Sequence, residues 1–135
     1  MLSKKTKYGL KAMTYLARNT ERFPILISEI SQNEMIPQKF LEGILLDLKK
    51  HGLLASKKGK GGGYFLLKPA QEITIASIIR VLDGPIALLP CVSLNYYQKC
   101  ADCQDELSCT LNRVMVNVRD QTLKVLESQS LEDLK

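Results

Sequence analysis

With 135 residues, 45% of them apolar, the chain can bury one core without cross-links. No apolar run is long enough to cross a bilayer, and Lys11 and Arg18 break the apolar positions behind the N-terminal lysines, so neither a membrane span nor a signal peptide is expected and the location is cytoplasmic. The net charge of +5 is split: residues 1–60 hold 12 Lys and Arg against 5 Asp and Glu, and residues 61–135 hold 7 against 9. A basic half joined to a slightly acidic half points to a polyanion-binding module attached to something with another task, although a solubilising basic surface explains the charge equally well.

The elements follow in chain order. Residues 3–18 (SKKTKYGLKAMTYLAR) set Tyr8, Ala12, Tyr15 and Leu16 on one stripe, opposite lysines, behind Ser3 as N-cap; this predicts a helix. A loop over Asn19–Pro24 leads to a short helix, SEISQNE, capped by Ser28, with Ile30 inward. Pro37 then stands where a first-turn proline is tolerated, and Phe40, Leu41, Ile44, Leu45 and Leu48 recur at helical spacing up to about His51, with Gly52 as the stop. Two helices joined by a few residues make a helix-turn-helix. In LLASKKGKGGGYFLLKPA, two apolar runs flank a Gly-rich basic tip, which predicts a β-hairpin.

A further amphipathic helix is expected from about Thr74 through Ile75, Ile78, Ile79 and Leu82, ending at Asp83-Gly84-Pro85. Residues 86–104 read as an irregular loop. Periodicity resumes over 105–127, where Leu111, Val114, Val118 and Val125 form a stripe that Met115, Leu123 and Leu126 broaden. Such a helix would be about 34 Å long. So long an apolar face on so small a protein predicts a homodimerisation helix, with packing along its own globule as the alternative. The expected fold is mainly α with a small β-hairpin. Residues 1–70 would be a winged helix-turn-helix, and 71–135 would supply the connecting helix, a sensor loop (86–104) and the dimerisation helix (105–127).

The N-terminal side chains of a helix laid in the major groove meet base edges. Here those are Pro37, Gln38, Lys39, Phe40 and Glu42, with Ser28 on the preceding helix. Gln38 suits adenine, Glu42 a cytosine amine and Lys39 a phosphate; alone, they are also what an exposed helix face would carry. The hairpin tips the balance. Lys57, Lys58 and Lys60 beside Gly61 and Gly62 form a cationic finger sized for the minor groove or the phosphate rails, and no GKS or GKT ending marks a nucleotide loop. The partner expected is double-stranded DNA.

All four cysteines fall within residues 91–109. Disulfides are uncommon in the cytosol, and clustering favours metal or redox chemistry. Cys91, Cys100, Cys103 and Cys109 are separated by eight, two and five residues. Only Cys100 and Cys103 form a Cys-x2-Cys pair, whereas a zinc ribbon needs two. Thiolates on such a loop are also competent iron ligands. His51, in KKHGLL, suits a helix C-terminus better than a metal site. Tyr96 and Tyr97 would shield the loop or fill a surface pocket.

The stretches SKKTKYGLKAMTYLA, ISEISQNEMIPQKFLEGILLDLKKHGLL, KKGKGGGYFLLKPAQEITIASIIRVLDG and CQDELSC resemble the iron–sulfur-cluster and nitric-oxide-sensing winged-helix repressors of the IscR and NsrR type, over nearly the whole chain. The resemblance implies a homodimer on a near-palindromic operator, with the long C-terminal helices crossed between subunits. It also implies a 2Fe–2S or 4Fe–4S cluster on Cys91, Cys103 and Cys109, one that purified protein can lack. The sequence departs from that pattern in a longer span from Cys91 to Cys103 and in the extra thiol of Cys100, which is a weaker candidate ligand. It also has Asn112 where some members place a ligand histidine and Lys7 where others offer an aspartate. The fourth ligand and the cluster type stay open, as does a thiol/disulfide sensor of the same fold.

Against an enzyme stand the lack of a histidine near a nucleophile, of paired carboxylates in a recognisable frame and of a nucleotide fingerprint; no small-molecule substrate is expected. A winged-helix protein-interaction module is the third class, separable from a regulator by the salt dependence of nucleic-acid binding.

Overall fold

The structure, a computed structural model, describes residues 2–135. Helix α1 spans Lys4–Arg18, and Ser3 caps it by accepting from the Thr6 amide through its hydroxyl. It buries Gly9, Ala12, Met13, Leu16 and Ala17, with Tyr8 and Tyr15 half-buried beside them. A short 3-10 turn (Thr20–Arg22) and a cis Phe23–Pro24 bond lead to α2, Ile27–Glu34.

The cap of α2 differs from expectation. Leu26, not Ser28, is the N-cap, and the Leu26 carbonyl accepts from Glu29 and Ile30, so Ser28 falls one residue inside the helix. No side-chain oxygen caps this start. Met35 closes α2 in the left-handed region at φ 53° and stands 83% exposed. Helix α3, Gln38–Lys50, follows with Pro37 one place earlier than expected, as its N-cap; Leu41, Ile44, Leu45 and Leu48 point into the core.

Strands β1 (Leu54–Lys57) and β2 (Gly63–Leu66) pair antiparallel with Leu54 opposite Leu66 and Lys57 opposite Gly63. Ile25 adds a single antiparallel rung on the other side of β2, exchanging two backbone hydrogen bonds with Tyr64 at 2.9 and 2.8 Å. After a 3-10 turn at Ala70–Glu72, α4 (Ile75–Leu82) starts on the Thr74 side-chain cap and buries Ile75, Ile78, Ile79 and Leu82 in the same core as α1 and α3.

The long helix α5 spans Thr110–Ser128 and so begins five residues later than its periodicity suggested. Asp105 diverts the chain into a turn, its carboxylate accepting from the Leu107 amide and its carbonyl from the Ser108 hydroxyl, and helix starts only at the Cys109 cap. Leu123 is buried and Leu126 half-buried against the core, whereas Leu111, Val114 and Val125 are more than half exposed. A short terminal helix, α6 (Leu131–Leu134), was not foreseen. It returns to the start of α4: Ile75 donates to the Gln129 carbonyl and Leu131 to the Ile73 carbonyl, both at 3.0 Å, and Leu131 is fully buried.

Candidate functional site

The N-terminal face of α3 is built by division of labour. Leu41, Ile44 and Leu45 fix the helix to the core, which turns Pro37, Gln38, Lys39, Phe40 and Glu42 outward; all five are exposed. Phe40 is held edge-on by Tyr8 of α1, ring centroids 5.6 Å apart, yet remains 42% exposed. Ser28, on α2, is half-buried.

Ionic contacts hold the two helices in register with α1. Lys11 Nζ donates to the Glu34 carbonyl at 2.6 Å, pinning the turn, and Lys5 pairs with Asp47 at 2.8 Å. The hydrogen bond from Lys5 outweighs burial and keeps the Asp47 carboxyl below its ordinary range. Glu29 of α2 receives both Arg22 and the Tyr15 hydroxyl; these bonds, Arg22 first, hold its carboxyl low, and the same contact pushes the Tyr15 phenol up.

The wing is anchored at its base and free at its tip. Lys49 Nζ reaches Ser56 Oγ at 2.6 Å, joining the last turn of α3 to β1, and Phe23 packs edge-on against Phe65. At the tip, the Gly62 amide donates to the Gly59 carbonyl at 3.0 Å with Gly61 at φ +76°, a turn that needs a residue tolerant of positive φ at that position. Lys57, Lys58, Lys60 and Gly61 are exposed, and among the described residues none of the three lysines is in an ion pair. Gly62 is not presented: it is buried, where a Cβ would lie 2.2 Å from the Lys57 carbonyl oxygen. Its role is to let the hairpin close.

The four cysteines come together where the loop meets α5. Cys91 lies in a 3-10 turn (Pro90–Val92) and is 9% exposed; Cys109 is the N-cap of α5. Cys100 and Cys103 share a turn closed by a Cys103 amide bond to the Cys100 carbonyl at 3.3 Å. The neighbouring Cys91 thiol, with burial and nearby negative charge, pushes the Cys100 thiol up; Cys103 is raised by burial and by Cys109 and Glu106, against the pull of Lys99. Asn112 donates to Cys91 Sγ through its side chain and to Cys109 Sγ through its main chain, both at 3.4 Å. Among the described residues no three His, Cys, Asp or Glu side chains already stand in metal-holding geometry. In donor chemistry the patch still fits a thiophilic metal or an iron–sulfur cluster: four soft sulfurs lie near one another on one loop and one helix cap. Asn112 holds Cys91 and Cys109 as neighbours, and side-chain rotation is what ligation would require.

Two other expectations resolve simply. His51 is the C-cap of α3, its ring Nδ1 2.8 Å from the Asp47 carbonyl. Tyr96 and Tyr97 are more than half exposed, with Tyr97 bonded to Glu106, so neither fills a pocket. The sequence marks Asn112 only as a departure from a family pattern and gives no sign of Arg119, which bonds the Val92 carbonyl at 2.9 Å. A polar residue spaced three after a helix cap was the available signal for the first. For the second there was none.

No helix among the described residues is long and apolar enough to cross a membrane. The family model of the Rrf2 iron-dependent transcriptional regulators matches residues 2–135. The rrf2-like HTH-type transcriptional regulator of Rhodobacter capsulatus is 43% identical over 137 residues, covering 99% of this chain and 91% of its own. The HTH-type regulator IscR of Photorhabdus laumondii is 32% identical over 98% of this chain and 77% of its own. Among solved structures, CymR, described as the global cysteine regulator of B. subtilis, superposes with a TM-score of 0.81 at 31% identity, over 99% of this chain and 95% of that one. IscR of T. potens gives 0.79 at 27%, over 99% and 85%. The mainly helical fold with its two-stranded wing is therefore the winged-helix fold of these regulators, which are not enzymes. The chain belongs to the Rrf2 family of transcriptional regulators.

Proposed function

We propose that this regulator binds operator DNA as a homodimer and that its cysteine patch, holding an iron–sulfur cluster, sets its DNA-binding state. Residues 1–70 serve as the DNA reader and residues 71–135 as connector, sensor and dimer helix. The observation that carries the proposal is the coexistence of two exposed surfaces, the N-terminal face of α3 and the lysine finger, on one chain with four neighbouring thiols. Gln38 and Glu42 read base edges, Lys39 holds a phosphate, and Pro37, Phe40 and Ser28 complete the contact face. Lys57, Lys58 and Lys60 follow the backbone beside Gly61.

Dimerisation is supported by the stripe Leu111, Val114, Val118 and Val125, left open in the single chain. Beside it runs a groove of about 590 Å³ between α4 and α5, lined by Ile79, Ile86, Leu88, Val118 and Leu126. A second α5 matches both the apolar chemistry and the helical spacing.

Cys91, Cys103 and Cys109 are the ligands, with Cys100 beside Cys91 as a further sulfur. When bound, a 2Fe–2S or 4Fe–4S cluster supplies a redox- and nitric-oxide-reactive centre. The chain's own part is to bring a turn behind α4 and the first residue of α5 to one place. The nearness of the free thiols of Cys100 and Cys91 favours a second reading, a thiol switch in which the pair loses two protons and two electrons to an oxidant such as a peroxide and forms a disulfide.

Anaerobic purification with an absorption spectrum and iron and sulfide analysis separates the two: brown protein with stoichiometric iron is expected, and colourless, iron-free protein favours the thiol pair. DNA binding is tested by selecting duplexes from a random pool and titrating salt. The affinity should fall by about 0.9 log unit per log unit of salt for each phosphate contact. Salt-independent or undetectable binding would leave a protein-interaction module.

A further inference from the structure

Two of the four cysteines are held by a single residue of α5. Asn112 stands three residues into α5 from the Cys109 cap, and its two N–H donors go to two different sulfurs: the main-chain amide to Cys109 Sγ, the side-chain Nδ2 to Cys91 Sγ, each at 3.4 Å. Among the described residues no other residue donates to two of the cysteines. Cys91 is fixed from the other side as well, because Arg119, seven residues further along α5 and so on nearly the same face, bonds the carbonyl of Val92. The turn that carries Cys91 is thus fastened to α5 at two points two helical turns apart.

We propose that Asn112 is a positioning residue of the thiol site, its side-chain amide a clamp that holds Cys91 beside the Cys109 cap, and not itself a ligand. The proposal rests on the reading of the patch as a metal site. Its chemistry follows from what an amide can offer. The –NH2 group of asparagine is purely a donor, and sulfur accepts such a bond more strongly as thiolate than as thiol. A sulfur has more than one lone pair, so a thiolate that accepts from Asn112 retains one for iron. The clamp also carries no charge, so it can persist whether or not a metal arrives. By holding Cys91 against the first turn of α5, Asn112 brings together two ligands that lie eighteen residues apart along the chain. Partners of this outer kind commonly govern metal retention by about 10–100-fold.

The test uses the full-length protein, wild type against Asn112→Ala and Asn112→Asp, with Thr110→Ala as a same-helix control and melting curves to confirm folding. In metal-free protein, amide hydrogen exchange of the segment 90–93 should be several-fold faster in both Asn112 variants and unchanged in the control. After anaerobic reconstitution with iron and sulfide, both variants should lose iron to a chelator about 10-fold or more faster than wild type. Asn112→Ala should also show a lower reduction potential, since a donated N–H bond favours the electron-rich form of the sulfurs. Asn112→Asp is the decisive variant: its carboxylate is a better iron ligand but has no side-chain N–H. If it retains iron as well as wild type, position 112 is a ligand position and the clamp is overturned. Unchanged exchange together with unchanged iron loss in Asn112→Ala overturns it too. Should the wild type take up no iron, the cluster reading fails on its own, and the exchange measurement alone then decides the clamp.

Discussion

Arg119 donates to the main-chain carbonyl of Val92 across 27 residues of sequence, at 2.9 Å, from a side chain only 15% exposed. That bond joins the middle of α5 to the turn next to Cys91, so movement of the cysteine loop cannot leave the proposed dimer helix unaffected. Its second partner, Asp120, is more than half exposed and adds little. Replacing Arg119 by Ala leaves the Val92 carbonyl without its charged donor and strips an aliphatic stem from the groove. The expected loss is about 1–2 kcal/mol of stability, read by urea unfolding. Operator affinity of metal-loaded and metal-free protein should also converge; an unchanged difference between the two would show that the Arg119 bond does not transmit the state of the loop.

The wing separates shape from charge. Gly63 sits at φ +147°, and a Cβ there would lie 2.2 Å from the carbonyl oxygen of Ile25, a backbone atom that cannot turn aside. Gly63→Ala should therefore cost about 2 kcal/mol or more and detach the wing from the Ile25 rung. Among the described residues Lys57, Lys58 and Lys60 make no ion pair, and replacing all three by Ala should leave stability within about 0.5 kcal/mol. The salt slope of DNA binding should meanwhile fall by about 0.9 for each phosphate that the variant no longer neutralises. A triple variant with unchanged slope would remove the wing from the DNA interface.

Glu29 fixes the sign of one pH effect. Its carboxyl is held low chiefly by Arg22 and then by Tyr15. A depressed folded value means that the stabilisation is present above the unfolded carboxylate range, near pH 4, and is lost as pH falls through the lower folded value. Tyr15 is raised by the same contact, so its share is present at neutral pH and is lost as pH climbs past the usual phenol range. Arg22→Gln should be less stable than wild type at pH 7, and the gap should close in acid. A gap that stays constant from pH 7 to pH 3 would mean that the Glu29 contact contributes nothing.

What was legible in the sequence was what periodicity encodes. Leu41, Ile44, Leu45 and Leu48 announce α3 because a core-facing stripe must repeat at helical spacing, and the Gly-rich basic tip announces the wing because few other compositions turn so tightly. Caps were less legible. Ser28 looks like an N-cap, but the chain enters the helix at Leu26, and a side-chain oxygen two residues late has no free amide to serve. The onset of α5 was misplaced because residues 105–109 suit a helix by composition, while Asp105 bonds back to its own neighbours. Long-range polar contacts left no periodic trace: Asn112 to Cys91 and Arg119 to Val92 join segments whose approach depends on how the whole loop folds. The cysteines could be read as a group by their density, but not as an arrangement.

Val118 decides the quaternary prediction. It lies at the centre of the stripe Leu111, Val114, Val118 and Val125, and is 36% exposed in the single chain. Against a second α5 it would be covered, and a glutamate there would be buried without a partner, a change that usually costs several kcal/mol. Each 1.4 kcal/mol is about tenfold in dissociation constant, so Val118→Glu should weaken a dimer by at least about 100-fold. Sedimentation at micromolar concentration should then show wild-type dimer and variant monomer. Because two half-sites must be met together for tight binding, operator affinity should fall with the dimer while the helix content of the variant stays intact. A wild-type protein that sediments as a monomer at micromolar concentration would refute the proposed seam and leave the stripe on α5 open in solution.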